Sequence, residues 1–86
     1  MGKSNQLVLS KLRQAQHRLQ QVINIFQNGS SSLEVIKQSQ EIQGLLKEAN
    51  SLMAKDHLNI CVVDLIKKGK IENATKEIKR LHKYNF

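Results

Sequence analysis

The stretch that decides the fold is residues 31–68, SSLEVIKQSQEIQGLLKEANSLMAKDHLNICVVDLIKK. It contains no proline, and its apolar residues recur at the spacing of one helical face. The apolar residues that define this face are Val35, Ile42, Leu45, Leu46, Ala49, Leu52, Met53, Ile60 and Val63. The pattern predicts one helix over about 32–68, roughly 54 Å long because a helix rises about 1.5 Å per residue.

Short local signals mark both ends of this helix. Ser31 and Glu34 have the three-residue spacing of a capping box, in which the hydroxyl and the carboxylate each bind a free amide of the first turn. At the other end, Lys67 and Lys68 complement the negative helix terminus, and Gly69 can adopt the left-handed conformation that ends a helix. The helix is therefore predicted to begin after Ser31 and to end before Gly69.

A shorter helix is predicted on each side of the long one. The first, over about 4–27, ends before Gly29 and has apolar residues at Val8, Leu12, Ala15, Leu19, Val22 and Phe26. The third, over about 71–84, has Ile71, Ala74, Ile78 and Leu81 on one side. Residues 1–86 are thus predicted to form a single all-α domain of three helices. Since the first helix is too short to cover the second, we expect an antiparallel bundle made by two or more chains.

The composition points to a small cytoplasmic protein without a membrane partner. One cysteine in 86 residues permits no intrachain disulfide, which fits a reducing compartment. No apolar run is long enough to cross a membrane, and the first residues lack a signal-peptide pattern. A chain of this size buries only about 60% of its unfolded surface, so oligomerisation is expected.

The net charge of +7 is concentrated at the two ends of the chain. Residues 1–33 hold four basic residues and no acidic one, and residues 65–86 hold seven basic residues against two acidic ones. Binding to nucleic acid phosphates explains this distribution, and a solvated soluble surface explains it equally well. The candidate phosphate-binding residues are Lys11, Arg13, Arg18, Lys37 and Lys47.

His57 and the only cysteine, Cys61, are four residues apart and are predicted to share one helical face. A thiolate and an imidazole are ligands for a soft metal ion, and Met53 extends the same stripe with a thioether. The alternative is structural, because buried cysteines behave as small apolar residues and methionines at helical spacing usually pack in cores. No arrangement of nucleophile, acid and base is present, so we predict that the chain is not an enzyme.

Three segments carry a resemblance to a known family. KLRQAQHRLQQVINIF (residues 11–26), EVIKQSQEI (34–42) and LMAKDHLNICV (52–62) resemble, in order and spacing, the CsoR/RcnR family of small bacterial transcriptional repressors. The resemblance covers about residues 8–68. It implies three-helix chains that pair into an antiparallel four-helix dimer, and dimers that associate into a homotetramer. It also implies binding to operator DNA, with release when copper(I), nickel, cobalt, formaldehyde or sulfane sulfur reacts with a cysteine and its neighbours.

The sequence departs from this family at one ligand position. Copper-sensing members bind the metal with a cysteine of one protomer and a His and Cys pair of the other. His57 and Cys61 match the pair, but Ser32 stands where the first cysteine belongs, and copper(I) prefers thiolate to a hydroxyl. A serine is also a poor nucleophile for formaldehyde or sulfane sulfur. Glu77 matches an acid that such sensors place near the site.

The resemblance therefore implies a repressor with an incomplete, vestigial metal site that is insensitive or weakly sensitive to copper. No cofactor is required, and copper(I) is a candidate ligand only. Two other functions stay open on the sequence. One is a helical structural or adaptor module whose basic ends bind an acidic protein partner. The other is a metal carrier, which a single thiol per chain disfavours.

Overall fold

The computed structural model describes residues 4–84, and these contain helices and no strand. Helix α1 is Asn5–Gln27, α2 is Ser32–Asp56, a π-helical segment is His57–Val62, α3 is Val63–Lys67 and α4 is Ile71–His82. The backbone stays right-handed helical at both junctions of the π segment, so α2, the π segment and α3 form one continuous rod, called here the long helix. The predicted all-α class with three helices, α1, the long helix and α4, is confirmed. Within the described chain, no helix has the length and apolarity of a membrane span.

The helix ends follow from local chemistry. Ser31 Oγ accepts a hydrogen bond from the Glu34 amide at 3.3 Å, which confirms the predicted serine cap of α2. The Glu34 carboxylate instead accepts from Gln38 Nε2 at 2.8 Å, so the predicted capping box forms in one half only. Gly29 and Gly69 have φ angles of 81° and 76°, the left-handed conformation that closes α1 and the long helix.

Helix α1 folds back along α2 as an antiparallel hairpin. Two ion pairs set the register: Lys11 with Glu48 at 2.7 Å, and Arg18 with Glu41 at 2.8 Å. Later residues of α1 thus face earlier residues of α2. The core between the two helices consists of Ala15, Val22 and Ile42, with Val35 and Leu45 packed against it.

The predicted apolar face of α1 is divided between the core and the surface. Val8, Ala15 and Val22, seven residues apart, are buried, and Ala15 and Val22 pack with Ile42 of α2. Leu12, Leu19 and Phe26 lie between them in sequence and are 38%, 50% and 71% exposed. The long helix is divided in the same way, with Leu46, Met53, Ile60 and Val63 exposed. The described chain therefore leaves much of its predicted apolar surface uncovered.

The prediction of an uninterrupted α-helix to residue 68 is wrong at His57–Val62, where the backbone is π-helical. In a π-helix the hydrogen bonds span five residues, so each turn is wider than an α-turn. Ala54 and Val62 are buried and Leu58 is half-buried, each four residues from the next. A wider turn brings residues four apart closer to one line, which lets all three pack inward. Such segments are rare and occur often at functional sites.

The residue before the π segment holds the start of α1. Ser4 donates from its amide to Asp56 Oδ2 at 3.1 Å and from its hydroxyl to Asp56 Oδ1 at 3.3 Å. The side chain of Ser4 accepts no capping hydrogen bond from the first turn of α1. The Asp56 carboxylate of the long helix instead interacts favourably with the positive end of the α1 dipole. The beginning of α1 is thus tied to the start of the π segment.

Replacing Asp56 by alanine should lower the free energy of unfolding by about 1 kcal/mol, the typical value of a lost helix cap. Urea denaturation followed by circular dichroism measures the change. Asp64→Ala is the matched control, because Asp64 forms an exposed pair with Lys68 within one helix, and such pairs contribute about 0.2–0.5 kcal/mol. Equal losses in the two variants would contradict the capping role of Asp56.

Candidate functional site

The site is built around His57, the first residue of the π segment. Its Nε2 lies 2.9 Å from Glu77 Oε2 on α4, and both side chains are about two-thirds or more buried, at 33% and 27% exposure. The carboxylate can only accept, so Nε2 carries the hydrogen, and in the neutral ring Nδ1 keeps the lone pair. Histidines that bind metals are commonly oriented by such a carboxylate on the other ring nitrogen. His57 is therefore held in the tautomer that a metal ligand needs.

Glu77 is shared between His57 and Arg80. Its second oxygen, Oε1, accepts a hydrogen bond from Arg80 at 3.0 Å. The hydrogen bond from His57, followed by the one from Arg80, lowers the pKa of Glu77 from its ordinary value of 4.5. The carboxylate is thus ionised at neutral pH and links α4 to the π segment.

The stabilising effect of Glu77 should disappear in acid. Because its pKa is lower in the folded chain than in the unfolded one, Glu77 adds stability above the unfolded value and loses it as pH falls through the folded value. We expect Glu77→Gln to lower the Tm at neutral pH and to match the wild-type Tm in strong acid. Thermal melts across this range measure the gap. Glu72→Gln, exposed in the first turn of the same helix, is the control, and the same pH-dependent gap in both variants would rule out the His57 and Arg80 contacts as its cause.

Cys61 lies on the same side of the long helix as His57, and its side chain is exposed. The two residues line an open groove of about 930 Å³ between the long helix and α4, together with Lys76 and Lys79. They also line a second groove, of about 410 Å³, to which Met53 contributes. The structure therefore brings the predicted stripe of Met53, His57 and Cys61 to one surface.

A single chain does not provide a complete metal site. Between residues 4 and 84, no group of three or more His, Cys, Asp and Glu side chains could bind a metal ion. Ser32 precedes His57 by 25 residues along the continuous long helix, which separates them by roughly 37 Å. Ser32 therefore cannot join His57 and Cys61 within the same chain. Their site offers one imidazole and one thiol, and Met53 is the soft donor that lines the same groove.

The predicted phosphate-binding residues fall into two groups. Lys11 and Arg18 are paired with Glu48 and Glu41 across the α1–α2 hairpin. Arg13, Lys37 and Lys47 are exposed, and no ion pair involves them in the described part of the chain. Among these five residues, only the second group forms no ion pair in the described part of the chain.

Sequence reasoning missed three features of this site. The Arg80 contact could have been found, since Arg80 follows Glu77 at the i,i+3 spacing of helical ion pairs. The Asp56 cap on Ser4 joins residues 52 positions apart and has no local signal. The π-helical backbone at His57–Val62 likewise leaves no distinctive spacing in a single sequence.

Comparison with known proteins adds one finding to this geometry. A family model described as metal-sensitive transcriptional repressor matches residues 4–83. No curated protein and no solved structure matches the chain. The matched region contains α1, the long helix and α4, and so includes His57, Cys61 and Glu77.

Proposed function

The chain belongs to the metal-sensitive transcriptional repressor family, and from this premise we propose that it represses transcription by binding operator DNA without a cofactor. The family consists of transcriptional regulators and not of enzymes. One observation carries the proposal: the family match spans all three helices, from residue 4 to residue 83. A repressor acts on chromosomal DNA, so its place in a bacterial cell would be the cytoplasm.

The assembly that fits this function is an antiparallel four-helix dimer, two of which associate into a homotetramer. The exposed apolar residues of α1 and the long helix support it, among them Leu19, Phe26 and Ile60 at 50%, 71% and 44% exposure. Covering large apolar side chains supplies the main free energy of association. An antiparallel arrangement also brings Ser32 near the partner's His57, although the two residues are at opposite ends of the long helix in one chain.

The DNA contacts would be made by basic residues on the helical faces. We assign them to Lys11, Arg13, Arg18, Lys37 and Lys47. Arg13, Lys37 and Lys47 carry the larger share, because Lys11 and Arg18 must exchange a carboxylate for a phosphate. The sequence has no helix-turn-helix or zinc finger, so recognition would depend on DNA shape and phosphate positions more than on base edges.

The metal response would be weak or absent. His57 and Cys61 are the residues that would hold a soft cation such as copper(I), with Nδ1 of His57 available because Glu77 occupies Nε2. Glu77 orients this ligand without binding the metal itself. The third position belongs to Ser32 of the second protomer, and a neutral hydroxyl is a poor ligand for copper(I). The proposed repressor thus keeps part of a metal site and little of its sensitivity.

A DNA titration tests the proposal. Fluorescence anisotropy on the upstream region of the protein's own gene is measured first with a chelator and then with stoichiometric copper(I). We expect specific binding that survives the chelator and changes little with copper(I). Absence of specific binding would refute repression, and a pull-down from lysate would then test the adaptor function through an acidic protein partner. Release of DNA by copper(I) would instead refute the proposal that the metal site is incomplete.

A further inference from the structure

Three lysines form a basic face along α4 and its C-cap, called here the α4 lysine face: Lys76 and Lys79 in the helix, and Lys83 at the C-cap. Each is two residues from Ala74, which is buried, or from Leu81, which is half-buried. Two residues correspond to about 200° around a helix. The α4 lysine face therefore lies on the other side of α4 from Ala74 and Leu81, and all three lysines are exposed.

Two of the acidic residues near this face, Glu77 and Asp64, are paired with other groups. Glu77 accepts from His57 and Arg80, and Asp64 pairs with Lys68 at 3.0 Å. Glu72 is four residues before Lys76, yet no ion pair joins them in the described structure. The α4 lysine face thus differs from Lys11 and Arg18 on α1, whose charges are offset by carboxylates of α2.

The α4 lysine face has a fixed position relative to the long helix. Ala74 is 2% exposed and anchors the middle of α4. The bond between Glu77 and His57, at 2.9 Å, fixes the next turn. Lys76 and Lys79 also line the 930 Å³ groove that contains His57 and Cys61. The three charges are therefore presented by an ordered helix beside the candidate metal residues.

We infer that the α4 lysine face is a second surface for DNA backbone phosphates, separate from the faces of α1 and α2. This inference rests on the proposed function and names a further contact region of the same repressor. The ligand class follows from the chemistry: three ammonium groups within about 10.5 Å of helix attract a dense row of negative charges, and duplex DNA carries one such charge per about 1.7 Å of its axis. Lysine acts there as a point charge, so the contacts add affinity without reading sequence.

Salt dependence of DNA binding tests the inference. The affinity of the full-length protein for its upstream DNA and for unrelated DNA is measured over a range of salt concentrations. Each lost phosphate contact makes the slope of log affinity against log salt less steep by about 0.9. We expect a less steep slope, by about 2.7 per DNA-bound chain and equally on both DNAs, in the triple variant Lys76→Gln, Lys79→Gln, Lys83→Gln.

Two single variants separate a local contact from a general loss of charge. Lys79→Gln removes a lysine without a described acidic partner, whereas Lys68→Gln removes one that is already paired with Asp64. We expect the slope to fall by about 0.9 for Lys79→Gln and to stay unchanged for Lys68→Gln. Equal changes in both would overturn the inference, as would an unchanged slope in the triple variant.

The result also distinguishes this inference from the proposed function. If the wild type binds its upstream DNA with a steep slope that the triple variant retains, the α4 lysine face is excluded and the repressor proposal stands. If the wild type binds no DNA, both fail. Loss of binding to an acidic protein, with DNA binding unaltered in the triple variant, would assign the face to a protein partner and overturn the inference.

Discussion

Replacing Ser32 by cysteine is expected to raise the copper(I) affinity of the assembled protein by at least about 100-fold. Loss of a residue that only orients a metal ligand already lowers metal affinity by about 10–100-fold, and a thiolate that binds the metal directly should contribute at least as much. A thiolate would replace a neutral hydroxyl at the position that the family resemblance assigns to a ligand. Ser32 is the first residue of α2, and a helix N-terminus lowers the pKa of a thiol and so favours the thiolate. The same change should make copper(I) release the DNA.

Competition for copper(I) against a chromophoric chelator measures the affinity, and anisotropy of labelled operator DNA measures the release. Leu33→Cys is the matched control, because it adds the same thiol one residue away at a position that is 80% exposed. Ser32→Cys combined with Cys61→Ser tests whether the two thiols act together. If Leu33→Cys gains as much affinity as Ser32→Cys, then Ser32 does not lie at the metal position, and the antiparallel dimer that places it there is also in question.

The parts of the fold that could be predicted are those fixed by neighbours in sequence. The apolar period of the long helix, the Ser31 cap and the left-handed glycines at residues 29 and 69 depend on contacts within a few residues. The π segment at His57–Val62 coincides with the inward packing of Ala54, Leu58 and Val62, and this packing exists only in the folded chain. The Asp56 cap on Ser4 depends on where the hairpin ends. Patterns of neighbouring residues in the sequence therefore predict neither the π segment nor the Asp56 cap.

The candidate site shows the same division. The spacing of His57 and Cys61 was sufficient to place them on one surface, since residues four apart share a helical face. The position of Glu77 near the site was predicted from the family resemblance, because no spacing within one helix relates His57 to Glu77. The charge pattern was misleading in one respect. Residues 1–33 contain no acid, yet Lys11 and Arg18 are offset by Glu48 and Glu41, which the hairpin brings from α2.

Because Arg13, Lys37 and Lys47 form no ion pair in the described structure, we expect them to contribute most to the predicted phosphate contacts. Five basic residues in each of two chains allow up to ten phosphate contacts. A protein with about 6–10 such contacts loses about 10³–10⁵ in DNA affinity when the salt concentration rises from about 50 to about 200 mM. Neutralising Arg13, Lys37 and Lys47 together should make the salt slope less steep by about 2.7 per DNA-bound chain, since each phosphate contact contributes about 0.9.

The paired residues should respond differently when a pair is removed as a unit. Lys11→Gln with Glu48→Gln keeps the net charge and removes the 2.7 Å ion pair. Because the Glu48 carboxylate already offsets Lys11, we expect the double variant to change the salt slope by less than about 0.9, the value of one contact. Anisotropy titrations on upstream DNA compare it with the triple variant. A loss of slope per residue as large as in the triple variant would mean that Lys11 leaves Glu48 to bind a phosphate, and that the ion pairs of the free protein do not predict its DNA contacts.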